Sequence, residues 1–246
     1  MTDLVIAYYN ESEYINTFIE YANKYNYFIH IYNKSDNNIK LTDNVSVNYK
    51  IHKLDNIGQA THTYLYHIIQ NYNNLSNITI FMLGSAFRDK SKSEKAHWLL
   101  NNANNCKGFS AKRIWLSDID DYNWELPYYD ILKYNHSHLK ENSSRIKTKM
   151  IRANTIPLGK WIEKNTFFNL SNKSFYRSSK CMFAVTKDVI LQKPKSFYIN
   201  LIKQLEFDTR NLEVIHFFER SWICVFLKPN ENSDYYKENL HHDTEN

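Results

Sequence analysis

The chain has 246 residues, 43% of them hydrophobic, and a formal net charge of +5, which suits one α/β domain with a buried core. Lys and Arg are spread along it with no block of five like charges, even in the densest stretch from Lys90 to Lys95, so a dedicated nucleic-acid stripe is excluded and nucleic acid is not expected as a partner. No run approaches the ~18 apolar residues of a membrane-spanning helix, and the opening MTDLVIAYYN lacks the charged and apolar regions of a secretory leader.

Cys106, Cys181 and Cys224 are odd in number and far apart, which fits neither a disulfide framework nor zinc-ligand spacing. A reducing cytoplasm is the simplest compartment, that of the host for a viral chain. A weakly basic protein of this kind suits an anionic small substrate or a membrane-surface acceptor. The 19 Tyr and the abundance of Asn have two readings: a compositional bias, or a surface suited to sugars and bases.

In chain order, the apolar run Leu4 to Tyr8 predicts a first strand. Asn10 to Glu13 reads as a cap and acidic first turn. Tyr14, Ile15, Phe18, Ile19 and Ala22 then follow the i, i+3, i+4 rhythm of an amphipathic helix. Tyr27 to Tyr32 predicts a second strand, Asp36 to Asn38 a turn, and Val45 to Ile51 a third strand. A helix is expected from Gln59 to Tyr72, and Ile78 to Leu83 reads as a buried parallel strand. Strands alternating with helices over these 85 residues predict a mostly parallel, Rossmann-like sheet flanked by helices. Ligands of such sheets bind beyond the carboxyl ends of the strands, which draws attention to the polar residues there.

The stretch from Lys90 to Ser179 carries no repeat or linker. Cys181 to Val185 predicts another buried strand. A helix follows Pro194, and Leu212 to Phe226 predicts a last, aromatic-rich one. One domain over 1–228 and a polar tail over 229–246 complete the expectation.

Four segments carry a resemblance. They are Val5 to Glu11; Ile31 to Lys34; Asn56-Ile57-Gly58 with His62 to Ile69 and Asn71 to Leu75, running into Ile80-Phe81; and Phe183 to Thr186 with Pro194, Phe197-Tyr198 and Phe218 to Trp222. In this order they resemble a family catalogued as domain of unknown function 3431, itself distantly similar to GT-A glycosyltransferases. The resemblance implies a single-domain GT-A-like fold and a transferase that moves a sugar from a nucleotide-sugar donor to a glycan or other hydroxyl acceptor. Two departures stand out. Gln59-Ala60 replaces the Arg-Glu that follows the glycine in the family pattern. Ser85 and Arg88 occupy the segment where a GT-A enzyme places its acidic, metal-binding motif.

Such a transfer must hold base and ribose, neutralise the leaving diphosphate and orient the acceptor, and an inverting one also needs a base. Tyr8, Asn10 and Glu11, with Asn33 and Lys34, are expected at the donor; Asn10 and Glu11 equally fit a helix cap and its dipole. Asn56 and Gly58 would let backbone approach the ligand ahead of a helix N-terminus, or form a plain turn. His62 in the first turn of that helix is a donor contact or a structural hydrogen-bonder. Ser85 also belongs to this group. Arg88 would stand in for a metal by neutralising diphosphate, or is a solvated loop side chain.

Asp118 and Asp120, in SDIDD, spell the acidic pattern for Mn²⁺ or Mg²⁺, or a turn; metal-independence fits the departures above. Glu219, inside an otherwise apolar helix, is the expected catalytic base, or a carboxylate paired with a distant cation. Tyr176 and Lys180 are placed at the acceptor. The alternative function is a non-catalytic sugar- or nucleotide-binding relative of the same fold.

Overall fold

A computed structural model describes residues 1–39, 41, 47–112, 114–130, 147–166, 168–170, 173–178, 180–206 and 212–226. It is α/β, built around a mixed six-stranded sheet of order β3-β2-β1-β4-β10-β5. These strands are β1 (Thr2–Tyr8), β2 (Tyr27–Asn33), β3 (Tyr49–Lys53), β4 (Ile78–Leu83), β5 (Phe109–Ser110) and β10 (Phe183–Thr186). β1 to β4 run parallel to one another. β10 runs antiparallel to both β4 and β5. The sheet is therefore mixed where the alternation of elements predicts a mostly parallel one. The physical reason is the connection: a long excursion between β4 and β10 lets the chain re-enter beside β4 from the opposite end.

That excursion contains β6 (Trp115–Leu116), β7 (Tyr128–Asp130), β8 (Lys147–Lys149) and β9 (Tyr176–Arg177). They pair as two small antiparallel ribbons, β6 with β9 and β7 with β8. The third strand begins at Tyr49, later than expected; residues 42–46, where its predicted start falls, lie outside the described residues, as does the predicted tail from 229.

Strand alternation divides the core into two layers. Leu4, Ile6 and Tyr8 face α1 (Ile15–Tyr25) and α3 (Lys90–Asn102), where they pack with Phe18, Ile19, Leu99 and Leu100. Val5 and Phe81 face α2 (Gln59–Asn71), α7 (Lys195–Ile202) and α8 (Glu213–Phe226), among Tyr64, Leu201, Phe218 and Trp222. The short helices α4 (Ile119–Tyr122), α5 (Leu158–Thr166) and α6 (Lys187–Leu191) complete the set among the described residues. α4 packs on α5 with no room to spare: a Cβ on Gly159 would lie 2.1 Å from the Tyr122 ring.

α1 buries Ile15, Phe18, Ile19 and Ala22, the stripe its periodicity predicts. It stops at Asn26, whose left-handed backbone suits asparagine and whose N–H donates to Ala22 O. No helix of the described residues is long and apolar enough to cross a membrane.

Candidate active site

The sheet order reverses between β1 and β4, because β1 is followed by β2 on one side while β3 returns to β4 on the other. Loops leaving the carboxyl ends of such strands diverge and open a crevice. The loops at this edge of the sheet are residues 8–11 after β1, 33–37 after β2, 54–59 after β3 and 84–89 after β4. β10 runs the other way, so its amino end joins this edge. Its first residue, Phe183, pairs with Phe81, so the residues ahead of it, Lys180 to Met182, lie toward the carboxyl end of β4.

Glu11 lies at the centre of this edge and is buried. It does not cap α1, which starts after a short 3-10 turn at Ser12–Tyr14 and has no side-chain cap. Its Oε2 instead accepts the N–H groups of Tyr9 (2.7 Å) and Asn10 (3.2 Å), folding the carboxylate back onto its own loop. Its Oε1 lies 3.8 Å from Arg88 Nη2. Burial pushes the Glu11 carboxyl above its ordinary range, against the pull of the Tyr9 N–H and the Arg88 charge.

Gly84 makes this arrangement possible: a Cβ there would meet Glu11 Oε2 at 2.6 Å and Ala7 O at 2.9 Å, so no other residue leaves room for the carboxylate. Gly84→Ala is expected to displace Glu11 and cost about 1–3 kcal/mol by overpacking. Urea denaturation checks this; a loss within ~0.5 kcal/mol would show that the loop gives way freely.

Lys34 is the second buried charge. Its Nζ donates to Ile57 O (2.5 Å) and Gln59 O (2.7 Å), pinning the turn that starts α2. Burial lowers its pKa to about 7, with Asp55 opposing the shift. The turn needs that support, since Gly58 and Gln59 both have left-handed backbone, at φ 56° and 50°. Gly58 also has no space for a side chain, because a Cβ would lie 2.7 Å from His62 Cβ and 2.8 Å from Leu205 Cβ. Its close approach is thus to protein. His62 is buried, its Nδ1 makes no hydrogen bond among the described residues, and burial with the nearby Lys34 charge takes its pKa down to about 4.

The other predicted donor residues divide. Asn33 is spent on its own turn: Oδ1 accepts Ser35 N–H and Oγ–H, and Nδ2 donates to Asn37 O. Asn10 Oδ1 accepts from Asn37 Nδ2 at 3.2 Å, tying the first and second loops together. Tyr8 is buried against the α1–α3 layer. Asn56 and Ser85 are half-buried at the rim. Asp89, which the sequence reading passed over, caps α3 by accepting Lys92 N–H at 2.9 Å. An Asp followed by a lysine-rich helical run is the signal that would have found it.

Glu219, on α8, acts electrostatically on Cys181 and is acted on by Lys180, ahead of β10. Burial pushes its carboxyl up, but His216 (3.8 Å away) and the charges of Arg220 and Lys180 outweigh this and hold it below the usual range. Lys180 also acts electrostatically on Asp89, so it stands between the β4 loop and α8. Lys180 and Cys181 both have left-handed backbone, φ 71° and 49°, and Cys181 O accepts from Tyr64 Oη at 2.9 Å. Such a turn sets the direction in which the Lys180 side chain leaves the backbone. Tyr176 is different: it is buried in the core beside α8, away from the crevice rim.

Asp118 caps α4, its Oδ1 accepting the N–H groups of Asp120 (3.0 Å) and Asp121 (3.1 Å). Asp120 is exposed, and Asp121 is paired with Arg177, which also lies over the Trp115 ring. Among the described residues no three His, Cys, Asp or Glu side chains gather in a way that could hold a metal ion. The SDIDD segment has the geometry of a helix start.

A family model described as "Protein of unknown function (DUF3431)" matches residues 4–240, nearly the whole chain. No curated protein matches it.

Proposed function

The chain belongs to the DUF3431 family, and we propose that it acts as a glycosyltransferase of GT-A-like fold that uses a nucleotide-sugar donor. One observation carries this reading: charged side chains from four separate segments, Glu11 after β1, Arg88 after β4, Lys180 ahead of β10 and Glu219 on α8, lie near the carboxyl edge of the sheet at the β1–β4 reversal. A site that binds a polar, anionic ligand needs such a set at such a place.

The donor lies over the loop after β1, where Glu11 Oε1 accepts from ribose hydroxyls. The acceptor approaches from α8. Glu219 takes the proton of the acceptor hydroxyl while its oxygen bonds to the anomeric carbon, and the nucleoside diphosphate departs with the electrons of the broken C–O bond.

A sugar- or nucleotide-binding relative without catalysis is the second reading. The cations around Glu219 favour it, since a carboxyl held low is a weaker base. Glu219→Gln separates the two. The transferase reading expects donor turnover to fall about 10²- to 10⁴-fold with donor affinity unchanged. A wild-type protein that binds a nucleotide sugar but neither transfers nor hydrolyses it would establish the binding reading instead.

A further inference from the structure

We infer that the leaving diphosphate is held by Arg88 and Lys180 and not by a divalent cation; the inference rests on the transferase reading above. The GT-A resemblance implies Mn²⁺ or Mg²⁺, held by carboxylates near the end of the fourth strand. The residues present do not fit that role. Hard cations need carboxylate oxygens free to coordinate. At this edge Glu11 Oε2 is committed to the Tyr9 and Asn10 N–H groups. Asp89 is committed to Lys92, through its N–H at 2.9 Å and its ammonium at 3.4 Å. Asp118, further along the chain, is committed to the Asp120 and Asp121 N–H groups. Glu219 is surrounded by His216, Arg220 and Lys180, whose charges compete with a metal ion for it.

The cations are in the opposite condition. The Arg88 guanidinium makes no hydrogen bond among the described residues; its one ion pair, to Glu11, is loose at 3.8 Å, and 44% of the side chain is exposed. Lys180 makes neither a hydrogen bond nor an ion pair within 4.0 Å among the described residues. Arg88 belongs to the β4 loop, where its N–H donates to Ser85 O, and Lys180 lies three residues ahead of β10, whose amino end meets the carboxyl end of β4. Two cations at one edge of the sheet, with donors unspent, can take two phosphate groups by charge-assisted hydrogen bonds and stabilise the charge that develops as the sugar leaves. The left-handed turn at Lys180–Cys181, anchored by Tyr64, holds the backbone from which the Lys180 side chain, one half of this clamp, extends.

The test measures thermal stabilisation of wild type, Arg88→Gln and Lys180→Gln by inorganic pyrophosphate in EDTA, with sulfate at matched ionic strength as the control. UDP-, GDP-, CMP- and dTDP-sugars and their free nucleotides are measured beside it, in EDTA and in Mn²⁺. The clamp predicts that pyrophosphate and one nucleoside diphosphate class stabilise wild type in EDTA, with no further gain from Mn²⁺ for the nucleotide. It also predicts that each substitution weakens both ligands at least about tenfold. Nucleotide binding that requires Mn²⁺ would overturn the clamp and leave the transferase reading standing. A pyrophosphate shift unchanged in both variants would also overturn it. Pyrophosphate binding that depends on both residues, with no nucleotide or nucleotide sugar bound, would keep the clamp and sink the transferase reading.

Discussion

Glu213→Ala is expected to cost about 3–5 kcal/mol, a large part of the stability of a typical domain. Glu213 is 0% exposed. Its Oε1 accepts Leu126 N–H at 2.7 Å, and its Oε2 accepts Arg152 Nε–H and Ala153 N–H, both at 2.9 Å. One carboxylate thus joins the stretch before β7 and the stretch after β8 to the first residue of α8. Removing it orphans two backbone N–H groups, at about 1–3 kcal/mol each if they stay buried, and strips Arg152 of one of its two carboxylates, leaving Glu125. Glu213→Gln keeps the shape but turns an amide N–H toward N–H donors, so an intermediate loss is expected. Because Glu219 lies on the same helix six residues on, the alanine variant should also disturb the proposed base. Urea denaturation measures the loss; less than ~1 kcal/mol would show that these contacts are not what docks α8.

Acidification from pH 7 to pH 5 is expected to remove about 4 kcal/mol of stability through two buried histidines. His67 is fully buried between α2 and the sheet, with Asp3, His30, His52 and Tyr32 around it. Burial first, then the neighbouring His30, takes its pKa down to about 3, against the opposing charge of Asp3. Tyr32 Oη lies 3.0 Å from its Nδ1 and Asn71 Nδ2 3.3 Å, so the ring accepts there and stays neutral.

His62, beside Lys34, is lowered to about 4. Both folded pKa values lie below the unfolded value of ~6.5, so the unfolded chain binds more protons throughout the interval between them. The stability these groups contribute is therefore complete above pH ~6.5 and is lost as pH falls toward the folded values, at about 2 kcal/mol each by pH 5. His52, lowered to about 4, adds to the same trend. Guanidinium denaturation at pH 7, 6 and 5 checks the slope, and His67→Gln should flatten it. A stability that stays constant over this range would contradict the burial of these rings as neutral groups.

Much of the frame was legible in the sequence. β1, β2 and β4 are buried on both faces and so appear as unbroken apolar runs. α1 and α2 start and stop within three residues of their periodic stripes. The direction of β10 was not legible, because an apolar run reads the same whichever way it runs in the sheet. Nor were β6 and β9, two residues each, whose partners lie far apart in the chain, with Trp115 beside Arg177.

The site was legible as a place more than as a set of contacts. The loops after the strands do edge the crevice, yet Glu11 holds its own loop and does not cap the helix, and Asn33 is consumed by a turn. Residue type alone cannot separate those outcomes, since each uses the same oxygen. Gly58 and Gly84 are two of only four glycines, but the contacts that forbid a Cβ come from His62, Leu205 and Glu11 and are not visible in the sequence. Glu213 reads in sequence as an ordinary acidic helix start; its weight comes from distant backbone docking onto it.

The central claim is that ligand binds at the carboxyl edge of β1, β2 and β4, closed by the amino end of β10. Amide hydrogen exchange of the full chain, with and without whichever nucleotide sugar raises its Tm, tests this most directly. The account predicts slower exchange in 8–11, 33–37, 57–62, 84–89 and 180–182, with the outer faces of α1 and α3 unchanged. Protection confined to other segments, or no binding by any of the four nucleotide-sugar classes, would contradict it.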